Sequence, residues 1–125
     1  MLSPILSVHD IDASISYYTN KLGFLLNWRL TDDQEQATFA SITLSENEIL
    51  LGTIDFVPQA NRGKLGIGVQ FHLTLGEEAN IDRLYETARD AGAVITRELE
   101  DREWGERAFV VNDLDGYNFM IAQSF

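Results

Sequence analysis

The sequence has no cysteine, only two prolines, and nine basic residues against twenty acidic ones. Each shortage excludes something. Without cysteine there are no disulfides, no thiolate metal ligands and no thiol nucleophile. No apolar run approaches the length that a membrane-crossing helix needs. The opening MLSPILSVHD has neither a basic region nor a long apolar segment, so it does not read as a signal peptide, and a cytoplasmic protein is the default expectation. The scarcity of Lys and Arg leaves a formal net charge of −11. Phosphate backbones and anionic lipid surfaces are repelled by such a charge, so neither nucleic acid nor membrane is expected as a partner. A cationic small molecule is favoured by the same field, although acidity also serves plain solubility. A G-x-S-x-G nucleophile elbow is missing too. The glycines of GKLGIG at 63–68 precede a strand rather than a helix, so they lack the helix N-terminus that a phosphate cradle uses.

The 125 residues are 45% hydrophobic, which suits one domain, 1–125, with a core of its own. The first half opens with a strand at 3–8. Asp10 or Asp12 can cap the helix that follows. Ile11, Ile15, Tyr18 and Leu22 recur at helical spacing and make one apolar face, and Gly23 is a fitting stop. Strands are expected at 24–30, 37–44 and 48–54, separated by the polar breaks TDDQEQ and SEN. The second half repeats this order. A strand at 69–75 leads to a helix marked by Ile81, Leu84, Tyr85 and Ala88, stopped at Gly92. Strands at 93–99, 107–112 and 117–123 follow, the last two joined by the turn NDLDG.

Simple counting superimposes the halves. Ser3 and Gln70, like Tyr18 and Tyr85, lie 67 residues apart, whereas Gly23 and Gly92, like Leu51 and Met120, lie 69 apart. The expected fold is therefore α+β: two tandem β-α-β-β-β modules, about 1–56 and 67–125, forming a curved mixed sheet around a cleft. A Pro- and Gly-punctuated linker, 57–66, joins them. In each leading strand the apolar alternate residues belong under the helix. The opposite sets, Ser3, Ile5 and Ser7 in one half and Gln70, His72 and Thr74 in the other, belong to the enclosed space.

Four motifs stand in order: V-x-D-x-x-x-S at 8–14, L-G-F at 22–24, W-G-x-R at 104–107 and D-x-D-G at 113–116. With them the chain resembles the vicinal oxygen chelate superfamily, which includes glyoxalase I, extradiol dioxygenases, fosfomycin resistance transferases and bleomycin resistance proteins. The resemblance spans essentially the whole chain and is specific for the superfamily rather than for one activity. It implies four positions that point into the cavity and carry His or Glu in metal-dependent members. Here they fall on Ser3, Gln70, Met120 and, by the repeat, Leu51, with Glu48 as an alternative. None of the first four is a strong ligand for a divalent metal, so neither metal nor cofactor is expected. The resemblance also implies a homodimer, because family members commonly build their clefts between chains and a partner covers exposed sheet edges.

His72 lies two residues past Gln70, about 7 Å further along the strand, and reads as a hydrogen-bonded residue of the cleft rather than a metal ligand. His9 lies in a strand-to-helix turn. The paired carboxylates Asp32/Asp33 and Glu77/Glu78 sit in turns, where water solvates them, and 98-ELEDREWGER-107 reads as a charged loop. A metal-free general base could come only from His72 or Glu48. Aromatic side chains offer flat contact area at low entropic cost, and the expected ligand-binding set is Trp28, Phe39, Gln70, His72, Trp104, Arg107, Phe109, Asn118 and Met120. The leading reading is a metal-free binding protein of the bleomycin resistance type that sequesters an antibiotic or an aromatic or cationic metabolite, with no catalytic residue assigned. The alternatives are a glyoxalase- or dioxygenase-like enzyme with an atypical site, and a sensing module.

Overall fold

The computed structural model describes residues 1–125. The chain order is β1 (Ile5–Val8), α1 (Ile11–Leu22), β2 (Leu25–Thr31), β3 (Ala37–Leu44), β4 (Asn47–Thr53), two short 3-10 turns at Ile54–Phe56 and Gln59–Asn61, β5 (Gln70–Thr74), α2 (Ile81–Asp90), β6 (Val94–Asp101), β7 (Glu106–Asn112) and β8 (Asn118–Ser124). This is the expected α+β repeat. The two four-stranded sheets have equivalent orders, β1-β4-β3-β2 and β5-β8-β7-β6. In each, the leading strand pairs in parallel with the last one and the remaining pairings are antiparallel. No helix is long and apolar enough to cross a membrane.

Local chemistry sets the helix ends. Asp10, not Asp12, caps α1: its Oδ1 accepts from the Ala13 amide at 3.0 Å. Asp12 instead accepts from Arg29 Nε at 2.7 Å and from the Ala37 amide at 3.0 Å, tying the first turn of α1 to β2 and β3. Asn80 caps α2 in the same way through the Arg83 amide. Gly23 ends α1 in the left-handed region, at φ 77°. A Cβ there would lie 2.9 Å from Leu84 of α2, so the residue also permits the close approach of the two helices.

Both helices lie in one core that the modules share. Ile11, Ile15, Tyr18 and Leu22 of α1 meet Ile81 and Ala88 of α2, together with one alternate set from each sheet: Leu6, Val8, Ile42, Ile49 and Leu51, and Leu73, Phe109, Val111, Phe119 and Ile121. Matched polar contacts lock the modules at both ends. The β3–β4 turn bonds to the end of β5: Asn47 Nδ2 donates to the Thr74 carbonyl at 2.9 Å, and the Gly76 amide donates to Ser45 Oγ at 3.1 Å. The β7–β8 turn bonds in the equivalent way to the end of β1, where Tyr117 Oη donates to the Ser7 carbonyl at 2.9 Å. His9 joins this second contact. Its side chain is exposed, as expected, but Nδ1 lies 2.5 Å from Asp115 Oδ1 of the other module.

Within one chain the sheets do not close into a barrel. Their helix-covered faces share the core, and their other faces are open. The expected mixed sheets are thus present, one of four strands in each module, each with one open face.

Candidate functional site

Register decides which side chains reach the open faces. In the second sheet, β5 and β8 pair Gln70 with Asn118 and His72 with Met120, and β7 pairs Val110 with Met120 and Ala108 with Ala122. The open face thus carries Gln70, His72, Thr74, Asn118, Met120, Val110, Ala108 and Glu106. Ala108, Val110 and Ala122 are buried but stand outside the shared core, as the floor of this face. Two members of the expected set point the other way. Phe109 is fully buried beneath α2, with its ring 5.2 Å from that of Tyr85. Arg107 is its neighbour on the helix side, where it pairs with Asp82 of α2 at 2.9 Å and with Asp101 at 3.1 Å. The reason is strand alternation: in β7 the even residues line the open face, so Glu106 stands there in place of Arg107.

In the first sheet Leu51 requires a second correction. It is fully buried in the shared core, facing the helix. Leu50 pairs with Ile5 and Ser41, as Met120 pairs with His72 and Val110. The residue equivalent to Met120 is therefore Leu50, one position earlier. Glu48, the alternative, does face the open side. Its Oε1 accepts from Ser3 Oγ at 3.2 Å and its Oε2 from Ser41 Oγ at 2.6 Å. The equivalent bond in the second sheet runs from Gln70 Nε2 to Asn118 Oδ1 at 2.6 Å. The family metal positions thus hold a hydroxyl, an amide, an alkyl chain and a thioether (Ser3, Gln70, Leu50 and Met120). These do not fit a divalent metal. No group of three or more His, Asp or Glu side chains is arranged to hold a metal ion anywhere in the chain.

The aromatics separate into two places. Trp28 and Phe39 pack together on the first open face, with ring centroids 5.5 Å apart, beside Ile5 and Gly52. Trp28 is 41% exposed, and Ile5, Leu25 and Leu30 around it are more so. On the second face Trp104 is 58% exposed, and its indole N–H donates to Glu106 Oε1 at 2.7 Å. The same oxygen receives His72 Nε2 at 2.8 Å. Burial pushes the Glu106 carboxyl up, but hydrogen bonds from Trp104 and His72 outweigh it and hold the group below its usual range. Glu106 is thus an ionised carboxylate held by two N–H groups. In the sequence it was hidden in a charged run. The only available signal was its place one residue before Arg107, on the opposite side of the strand.

Arg102 was hidden in the same run. Its side chain is almost fully buried, pairs through Nη1 with Glu100, and donates through Nη2 to the Ala108 carbonyl at 3.4 Å.

The two open faces meet in a groove of about 340 Å³ between the chain start, the β3–β4 turn and β5, where Glu48, Gln70 and His72 share the lining. That volume lies at the small end of ligand sites. The structure brings Gln70, His72, Asn118, Met120 and Trp104 together, groups Trp28 with Phe39, and places Arg107 and Phe109 elsewhere.

Comparison with known proteins agrees with this architecture. An uncharacterised protein of Mycobacterium bovis is 30% identical over 98% of this chain and 82% of its own length. Among solved structures, TioX from Micromonospora sp. ML1 superimposes with a TM-score of 0.77 at 19% identity, over 100% of this chain and 96% of that one. A glyoxalase/bleomycin resistance protein/dioxygenase superfamily member from Sphaerobacter thermophilus gives a TM-score of 0.70 at 25% identity, covering 98% of this chain and 94% of its own. A glyoxalase-related enzyme from Clostridium phytofermentans gives 0.70 at 16%, over 99% and 94% of the two chains. The family model for glyoxalases, bleomycin resistance proteins and dioxygenases matches residues 2–121, and the chain belongs to that superfamily.

Proposed function

We propose that this chain is a metal-free, cytoplasmic small-molecule binding protein of the bleomycin resistance type, which works by sequestration as a homodimer. One observation carries the reading. The open sheet faces present aromatic and aliphatic side chains to water and set a few paired polar groups among them, while the four family metal positions carry no imidazole or carboxylate. Exposed apolar faces of this kind mark binding surfaces. Trp28, Phe39 and Trp104 supply flat contact area, and Gln70, Asn118 and His72 orient the bound molecule. The carboxylates of Glu48 and Glu106, within an overall charge of −11, favour a neutral or cationic ligand over an anionic one. Sequestration requires affinity and no chemistry, so the lack of metal donors is no handicap to it.

A partner chain has a physical task here. The edges β1 and β5 carry unpaired backbone groups, and Ile5, Leu25, Leu30 and Val69 are at least half exposed in the single chain. Sedimentation equilibrium at micromolar concentration should give about twice the 14.1 kDa chain mass; a mass at the monomer value would remove the dimer from the proposal. Elemental analysis after dialysis against a chelator tests the metal-free reading. The expected result is no stoichiometric metal. Retained zinc, nickel or iron would replace sequestration with a glyoxalase- or dioxygenase-like enzyme.

A further inference from the structure

We propose that His72 and Glu106 form a preset proton-accepting site on the open face of β5, β7 and β8, specific for a ligand that presents an O–H or N–H group on an aromatic ring. The inference rests on the small-molecule reading above and names the chemistry that one part of the face recognises.

An ionised carboxylate only accepts hydrogen bonds. His72 Nε2 lies 2.8 Å from Glu106 Oε1, so the proton of the neutral imidazole sits on Nε2. Nδ1 then carries a bare lone pair. It has no partner within the chain, and the side chain is 48% exposed, so this lone pair is free to accept from a ligand. The carboxylate in turn is only 13% exposed, and its same oxygen also accepts from the Trp104 indole N–H. Neither ring can turn without breaking a charge-assisted bond, so the orientation is set before any ligand arrives.

The surroundings narrow the ligand class. Trp104 reaches the same carboxylate oxygen as His72, so its exposed indole lies near the imidazole and is available for a ligand ring to contact. Met120 lies directly across from His72 and adds a polarizable, apolar contact. Anions are disfavoured at Nδ1, because an acceptor lone pair and two nearby carboxylates, Glu106 and Glu48, face them. What remains is a ring that stacks and a proton donor that reaches Nδ1, as in a phenol or a pyrrole-type N–H.

Phenol and its methyl ether, anisole, separate this inference from its alternatives, because they share the ring and differ only in the donor. Both are titrated into isotope-labelled protein at millimolar concentration and followed at the His72 ring, the Trp104 indole N–H and the Met120 methyl. Phenol is expected to bind about tenfold more tightly than anisole, the usual worth of one hydrogen bond. His72→Ala should retain the native spectrum of the shared core and bind the two equally. Equal affinities in the unaltered protein, or a preference for phenol that survives His72→Ala, would overturn the proton-accepting site and leave the binding face standing. If neither compound perturbs His72, Trp104 or Met120, the binding reading of this face fails, and this inference fails with it. A third readout needs no ligand. In the neutral ring, nitrogen shifts should place the His72 proton on Nε2, and a proton found on Nδ1 would overturn the assignment.

Discussion

Tyr18→Ala is expected to leave the chain largely unfolded at room temperature, whereas Tyr18→Phe should fold with a loss of about 1–2 kcal/mol. Tyr18 is completely buried, and its ring meets those of Tyr17, Phe24 and Phe119 edge-on, so both modules contact it. Deleting a ring of this size from a packed core costs about 3–5 kcal/mol, a large share of the roughly 5–15 kcal/mol by which domains are stable. The hydroxyl adds a second loss. It donates to Asp113 Oδ2 at 2.6 Å, across the joint between the modules. Burial first, and then the neighbouring Asp113 charge, push the Tyr18 hydroxyl well up, so it remains a donor at any ordinary pH. In the Phe variant the Asp113 carboxylate still accepts from the amides of Asp115 and Tyr117, which is why that loss is smaller. Urea unfolding followed by circular dichroism reads both variants. A Tyr18→Ala midpoint close to that of the unaltered protein would show that the shared core does not hold the modules together.

Two adjacent leucines give the next largest contrast. Leu51→Glu should abolish folding, and Leu50→Glu should be tolerated within about 1 kcal/mol. Leu51 is fully buried in the shared core, so a carboxylate there loses the packing of the leucine and gains an unpaired charge in an apolar surrounding. Together these exceed about 4 kcal/mol. Leu50 lies one residue earlier, half-buried on the open face beside Ile5 and Ser41, where a charged head can reach water. Expression and thermal melting of both variants decide between the registers. If Leu51→Glu melts like the parent and Leu50→Glu does not fold, the assignment of Leu50 as the counterpart of Met120 is wrong.

Much of the fold was legible in the sequence, because it is written in local patterns. Ile11, Ile15, Tyr18 and Leu22 follow the helical period, Asp10 and Gly23 mark its ends, and the same grammar returns 67 to 69 residues later. Strand periods of two located all eight strands to within about two residues of where the structure places them. For β5 the alternation also told which side was which, since Gln70, His72 and Thr74 are polar and Phe71 and Leu73 are not. That signal fails wherever neighbours are alike. Leu50 and Leu51 are both leucine, 109-FVV-111 is apolar throughout, and Glu106 and Arg107 are both charged. For such pairs the two faces are chemically equivalent in sequence, and a slip of one residue exchanges them. Only the hydrogen-bonded register of β4 against β3 and of β7 against β8 decided that Leu51 and Phe109 lie under the helices and that Glu106 faces out. The pairing of His72 with Glu106 and of Ser3 with Glu48 depended on the same register, because residues 34 and 45 positions apart carry no mutual signal until the sheets bring them to hydrogen-bonding distance. The sequence by itself therefore determined the repeat and the family, which depend on residue type and local spacing. The tertiary structure alone decided which side chains share a face, because that depends on contacts between strands far apart in the chain.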